Sequence, residues 1–337
     1  MSGLGPYWQI AAKSRDLSRK PLRVFIDDCH LVLFRSASGM IGALEDRCAH
    51  RNAPLSQGRV CGENLQCPYH GWQYDTDGRL AGVPALHDAG SASTIRVAHY
   101  RAVESQGFIW VAPDSAPEAA PPIFPHYGEK GWTSFVMQTR FHATVEACLE
   151  NFLDCPHATF VHRYWFRAPT ARPVRAVVRT LADGAVAEFF DEPRKKSLVW
   201  WLLAPRGGSM RHTDRFIQPA MSRVDYEFPN GLHYIISSAC TRRTATETEV
   251  FTVMSFRWGW LGPFIRLYFE PLSRRIIRQD VAMLDAQQAN IERFGGARFA
   301  STRADLLGRY ISEWRASVQG GAAPPAAGQE HTQEILL

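Results

Sequence analysis

Two short segments of this 337-residue chain each pair a thiol with an imidazole. One is Cys48-Ala49-His50; the other, after a gap of sixteen residues, is Cys67-Pro68-Tyr69-His70-Gly71-Trp72. Four such ligands could close around one tetrahedral zinc, but zinc sites usually take Cys with Cys and His with His along the sequence. One thiolate and one imidazole per loop suit a two-iron cluster, with both Cys on one iron and both His on the other. Imidazole in place of thiolate removes negative charge and raises the potential, which makes a one-electron relay. Pro68 and Gly71 permit tight turns that can aim N–H groups at the sulfurs. Tyr69 and Trp72 are expected to cover the cluster from water. Cys29, Cys61, Cys148, Cys155 and Cys240 lack partners at ligand spacing and read as small core hydrophobes.

A second set lies further on. Asp154, His157 and His162 fall within nine residues. Two His five apart stand about 140° round an ideal helix, so a regular helix would not aim both at one ion. Pro156 favours a helix start here and a distorted turn could bring the rings together. Two His need a third ligand to make the two-His, one-carboxylate triad that leaves iron open positions for O₂. Asp280 sits at the centre of a helical stripe of Ile276, Ile277, Met283, Leu284 and Ile291. A carboxylate there is costly unless paired or metal-bound; a buried ion pair with an Arg is the competing explanation. Asp285 falls on the polar side.

The elements that must position these residues come in two groups. Leu22 to Ile26, Leu31 to Phe34 and Gly107 to Val111 read as short strands. Ala112 to Pro125 holds five prolines and reads as a linker. Beyond it, Ser134 to Phe141, Val174 to Leu181, Ser197 to Leu203, Leu232 to Ser237 and Glu249 to Phe256 read as strands. Phe251 to Phe269 reads as a strand running into a buried helix, interrupted by Arg257 and Arg266. Helices are expected over Pro271 to Phe294, ended by Gly295-Gly296, and over Thr302 to Val318, capped by Thr302 and Asp305. The expected domains are 1–115 and 116–318, and 319–337 reads as a disordered tail.

Composition bounds the rest. Formal charge is +5, and residues 1–115 nearly balance with 12 Lys+Arg against 11 Asp+Glu, so no nucleic-acid patch is expected. No run of 18 apolar residues is present, so no membrane span is expected. Seven scattered cysteines do not make a secreted disulfide scaffold, and a cytoplasmic location is the default.

C-x-H followed by C-P-Y-H-G-W resembles the Rieske [2Fe–2S] motif. With Asp154-x₂-His157-x₄-His162 and the distant Asp280, the chain resembles the large subunit of the Rieske non-heme iron oxygenases over roughly residues 6 to 318. The resemblance implies an α+β chain. Its N-terminal domain would be all-β and its catalytic domain an antiparallel sheet flanked by helices, helix-grip-like. It implies a cluster on Cys48, His50, Cys67 and His70, and a mononuclear Fe(II) on His157, His162 and Asp280. Asp154 would not be a ligand; it would link His70 of one subunit to His157 of the next, in a ring that is most often a trimer. Asn151 sits at the family's near-iron position.

No G-x-G-x-x-G or flavin motif is visible, so electrons from NADH or NADPH must arrive through a separate reductase or ferredoxin. Chain length and the run Arg278 to Gln288 resemble the α-only monooxygenase and demethylase branch. The expected activity is O₂-dependent hydroxylation or oxidative demethylation of a small aromatic or alicyclic molecule. The alternatives are a cis-dihydroxylating dioxygenase subunit, a Rieske electron carrier, and a zinc-stabilised small-molecule-binding protein. An apolar pocket is expected to draw on Tyr164-Trp165-Phe166 and Val199-Trp200-Trp201. No Arg can be assigned as a carboxylate clamp, so acidic and neutral substrates both stay open.

Overall fold

A computed structural model describes residues 4–86, 94–116, 119–162, 173–190, 210–228, 230–318, 320 and 323–337. The chain divides into two compact units, Met1–Ile123 and Phe124–Leu337.

The first unit is built from two antiparallel sheets. The larger has the order β1 (Gln9–Lys13), β10 (Phe108–Ala112), β9 (His99–Ser105), β4 (Ile41–Glu45), β3 (Cys29–Arg35), β2 (Leu22–Ile26). The smaller runs β5 (Arg59–Cys61), β6 (Asn64–Gln66), β7 (Gln73–Tyr74), β8 (Leu80–Gly82). Side chains alternate across a strand, and β3 buries both sets. Leu31 and Leu33 join Ile26, Ala43, Ile109 and Val111 in one core. Val32 and Phe34 face the other way, into a core with Leu44, Leu65, Tyr74, Cys48 and Cys67. One strand thus ties the scaffold sheet to the loops that carry the cysteines.

The second unit holds an antiparallel sheet of eight strands among the described residues. Its order is β11 (Thr133–Phe141), β17 (Thr248–Arg257), β16 (His233–Arg242), β15 (Met221–Glu227), β14 (Arg211–Ile217), β13 (Gly184–Phe190), β12 (Pro173–Leu181), β18 (Glu330–Leu336). Helices α1 (Val145–Leu153), α2 (His157–Phe160), α3 (Gly262–Arg293) and α4 (Gly308–Val318) accompany it. A row of aligned residues crosses five strands: Phe189, His212, Tyr226, Tyr234 and Phe256 are successive cross-strand partners, all buried. Phe269 of α3 meets this row edge-on, 5.1 Å from Tyr234 and 5.8 Å from Phe256 between ring centroids. Such edge-to-face contacts fix where the helix lies on the sheet.

That anchor corrects the expected start of α3 at Pro271. The helix begins at Gly262-Pro263 and carries Pro271 inside it. Proline there forgoes one intrahelical bond, but the buried Phe269 secures the turn before it, and Ser273 Oγ donates to the Phe269 carbonyl at 2.8 Å. Met283, expected on the buried stripe, is half exposed; Phe269, Ser273, Ile276, Asp280, Leu284 and Gln288 form it. Thr302 and Asp305 do not cap α4. They close a turn ahead of it, with the Thr302 N–H donating to the Asp305 carboxylate.

The expected disordered tail over 319–337 is also corrected. Glu330–Leu336 forms β18, the edge partner of β12 from Pro173↔Leu336 to Arg179↔Glu330. An edge strand needs backbone pairing and only one covered face, so its polar sequence gave no apolar signal; Ile335 and Leu337 are nonetheless buried. The expected strand Ser197 to Leu203 lies outside the described residues. Among those residues no helix is long and apolar enough to cross a membrane.

Candidate metal centres and cavity

The two Cys/His loops of the first unit are built alike. Cys48 N–H donates to the Ala53 carbonyl and Asn52 N–H donates back to the Cys48 carbonyl. Cys67 N–H donates to the Trp72 carbonyl and Gly71 N–H to the Cys67 carbonyl. The fourth residue after each Cys has positive φ, Asn52 at 59° and Gly71 at 73°, the left-handed conformation that Asn and Gly tolerate best. Each tight turn therefore turns a buried sulfur and an outer imidazole towards the same place.

Cys48 and Cys67 are buried, and His50 and His70 stand 4.6 Å apart between ring centroids. Trp72 stacks on His50 at 4.4 Å with an interplanar angle of 3°. Tyr69 does not shield as expected: it is 67% exposed and lies over His70, itself exposed. Burial and the neighbouring Cys48 hold the Cys67 thiol above its ordinary value, against the opposing pull of the N–H groups of Tyr69 and His70. Tyr74 Oη lies 3.2 Å from the Cys48 sulfur. His50 Nδ1 is buried without a hydrogen-bond partner. A buried nitrogen so left is expensive, and a metal ion is what this thiol-lined place would supply. The donor set fits a two-iron cluster.

In the second unit, Thr144 caps α1 by accepting from the Ala147 N–H at 3.1 Å, and the helix stops at Asp154 in extended conformation. Pro156 then opens the single turn α2, which ends before His162. This broken helix aims both rings at Asp280: His162 Nε2 is 3.1 Å and His157 Nε2 is 3.6 Å from Oδ1. Three ligands on one face of an octahedron at about 2.1 Å from an ion stand about 3 Å from each other. The rivals fall away: no Arg pairs with Asp280 among the described residues, and Asp285 is exposed. Asn151 Nδ2 lies 3.5 Å from the same Oδ1.

The far nitrogen of each His is also held. Gln279 Oε1 is 3.0 Å from His162 Nδ1, and the main-chain carbonyl of Asp154 accepts from His157 Nδ1. With the proton on Nδ1 in each ring, both bonds would leave Nε2 free to bind a metal. In the absence of a metal, burial alone would push the Asp280 carboxyl up, but His157 and His162, when protonated on both nitrogens, outweigh it and hold it low. Burial would push His157 down, yet Asp280 and the Asp154 carbonyl raise it.

These side chains form one end of a cavity of about 120 Å³ whose floor is the sheet. Sheet register arranges the floor in rows: His212 and Tyr226; then Asp214, Val224, Ile236 and Met254; then Ser222, Ser238 and Thr252. Cys155, taken from sequence as a core residue, lines it with His212 and Asp214, their ligand-type atoms all within 4.8 Å. The aromatic segments 164–166 and 199–201 lie outside the described residues. Strands β14 and β15 carry no clear apolar signal in the sequence because His212, Asp214 and Ser222 stand among their inward residues; the alternation itself, with His212 and Asp214 between Arg211 and Arg215, was the available signal.

Comparison with known proteins defines the class. Residues 7–101 match the Rieske [2Fe-2S] domain and residues 141–319 match the vanillate O-demethylase oxygenase C-terminal domain. The chain belongs to the Rieske non-heme iron oxygenases, in the branch with the vanillate O-demethylase catalytic domain. Its cofactors are accordingly a Rieske cluster and a mononuclear iron. It is 36% identical to methylxanthine N1-demethylase NdmA of Pseudomonas putida over 277 residues, 82% of this chain and 77% of the relative. It is 27% identical to a chloroplastic chlorophyllide a oxygenase of Chlamydomonas reinhardtii over 355 residues, covering 99% of this chain. The match spans about half, 51%, of that relative's length. The fold matches crystalline dicamba monooxygenase bound to 3,6-dichlorosalicylic acid, with a TM-score of 0.82 at 23% identity over 95% of this chain and 98% of that one.

Proposed function

We propose that this chain is the oxygenase component of a monooxygenase or demethylase acting on a small aromatic or alicyclic molecule. The carrying observation is the convergence of His157, His162 and Asp280 on the wall of a cavity, in a chain whose other unit presents Cys48, His50, Cys67 and His70. When bound, the cluster relays single electrons and the ferrous ion activates O₂. For a methyl ether the balance is substrate, O₂, two electrons and two protons giving alcohol, formaldehyde and water. The names of the methylxanthine demethylase and the dicamba monooxygenase support this outcome over cis-dihydroxylation.

The protein's own residues do the positioning. Gln279 and the Asp154 carbonyl fix the two imidazoles, and Asn151 contacts the ligand carboxylate. The buried setting of His162 and Asp280 keeps bulk water from them. Electrons come from NADH or NADPH through a separate reductase or ferredoxin. The exposed His70 meets Asp154 of a neighbouring subunit in a homotrimeric ring, and Asp154 bridges to His157.

Purified oxygenase given a reductant, ¹⁸O₂ and a panel of methyl ethers and N-methyl heterocycles should release formaldehyde and a demethylated product. His162→Ala should keep the red-brown cluster spectrum and lose product; turnover retained in that variant would refute the assignment. Sedimentation should report a trimer.

A further inference from the structure

We propose that Asp214, held by His212, selects the substrate, and that this substrate is neutral or cationic and offers a hydrogen-bond donor: an N–H, O–H or ammonium group, not a carboxylate or sulfonate. The inference rests on the reading that the iron cavity is where the substrate binds.

Three observations carry it. First, β14 places its charges against the usual order. Arg211 and Arg215 point outward to Glu188 and Asp183, while Asp214 points into the cavity at 3% exposure. A carboxylate so buried is costly unless its lone pairs meet donors.

Second, those donors are incomplete. Among the described residues Asp214 accepts one hydrogen bond, to Oδ1 from His212 Nε2 at 3.0 Å. No Arg or Lys among those residues pairs with it. His212 cannot turn away, because its ring is sandwiched between Phe189 and Tyr226, each 4.5 Å from it between centroids. Oδ2 is left with acceptor capacity that a ligand donor can fill.

Third, the described lining of the cavity is acidic: it contains the carboxylates of Asp154, Asp214 and Asp280 and no Lys or Arg. Two of these already have roles at the iron; Asp214 has none there. An acidic arene would bring a further negative charge beside Asp214 without a partner. A donor-bearing molecule would complete the carboxylate's bonding, with Ser222, Ser238 and Thr252 beyond it as neutral partners.

The test uses the intact, cluster- and iron-loaded enzyme without reductant, titrated calorimetrically with three probes of one shape: 4-methoxybenzylamine, 4-methoxybenzamide and 4-methoxybenzoate. Amine and amide should each bind at least about tenfold more tightly than the acid, the scale of one hydrogen bond to a charged group. Asp214→Asn preserves size; with cluster absorbance unchanged, it should lose the amine's advantage. Equal affinities, preference for the benzoate, no binding of amine and amide, or an unaltered ratio in the variant would overturn the proposal. Because turnover is not read, the two readings fail separately: an enzyme that binds the amine yet never releases formaldehyde contradicts the demethylase function alone.

Discussion

Gln279 holds His162 from the side opposite the metal ligand. Its Oε1 lies 3.0 Å from Nδ1, while the next residue along α3, Asp280, lies 3.1 Å from Nε2. Two consecutive helix residues therefore fix both nitrogens of one ring. With the Nδ1 proton donated to Gln279, Nε2 would keep its lone pair for the proposed iron. Gln279→Leu removes the acceptor and keeps the bulk. Iron affinity should fall roughly 10–100-fold, as for other partners of ligating imidazoles. Iron content after dialysis against graded chelator checks this, and the cluster spectrum should not change.

Tyr74 contacts the other centre. Its hydroxyl lies 3.2 Å from the Cys48 sulfur inside the buried core. An O–H donated to a ligating sulfur stabilises the reduced, more negative cluster and so raises its potential. Tyr74→Phe keeps the ring and drops the donor. The midpoint potential should fall by about 60 mV, the one-electron equivalent of about 1.4 kcal/mol. A protein-film or dye-mediated titration reading an unchanged or higher potential would contradict that donor role.

Both candidate ligand sets stand out in the sequence because metal chemistry needs particular residue types at short spacing. Cys48, His50, Cys67 and His70 stand out in any order of reading, and Asp280 stood out as a carboxylate on an apolar stripe. The strands read best where apolar, β-branched and aromatic residues run together between turns, as in Leu22–Ile26, which is β2 residue for residue. The cavity floor was illegible for the same physical reason inverted. Strands β14 and β15 bury His212, Asp214 and Ser222, so the inward face looked like a solvent face. Gln279 was hidden too, since a surface-type residue beside a ligand carries no pattern of its own. The register of β18 on β12 depends on backbone hydrogen bonds that side-chain hydropathy does not encode.

Helices α1 and α4 are tied to each other, and to the turn between β14 and β15, through one buried arginine. Arg315 of α4 is 5% exposed and its Nε lies 2.5 Å from Glu146 Oε1 of α1; its Nη1 reaches the Pro219 carbonyl at 3.2 Å. Burial alone would raise Glu146, but the charge and hydrogen bond of Arg315 outweigh it and depress the carboxyl. Breaking a fully buried pair costs about 3–5 kcal/mol. Glu146 is one-third exposed at 34%, so Glu146→Gln should cost about 2 kcal/mol. A depressed carboxyl stabilises above its unfolded value, about 4.3 for Glu, and loses this as pH falls through the lower folded value. Urea unfolding should therefore show a constant gap between wild type and variant from neutral pH to about 5, closing below about 4. A gap that widened in acid would reverse the sign.

Asp154 offers a way to separate electron delivery from iron binding. It is the main-chain carbonyl of Asp154, not the carboxylate, that accepts from His157 Nδ1. Asp154→Asn leaves that carbonyl in place, so the ring stays oriented and iron should remain bound at wild-type content. What changes is the carboxylate, which burial raises despite the opposing charge of His157. If that carboxylate bridges to His70 of a neighbouring subunit, Asn cannot carry the same charge-assisted contact. After chemical reduction, reoxidation of the cluster by O₂ and substrate should slow roughly 10–100-fold, while trimer mass, iron content and cluster spectrum hold. Stopped-flow traces matching wild type would show that electrons reach the iron by another route. Loss of iron would show that the carboxylate, rather than the carbonyl, orients His157.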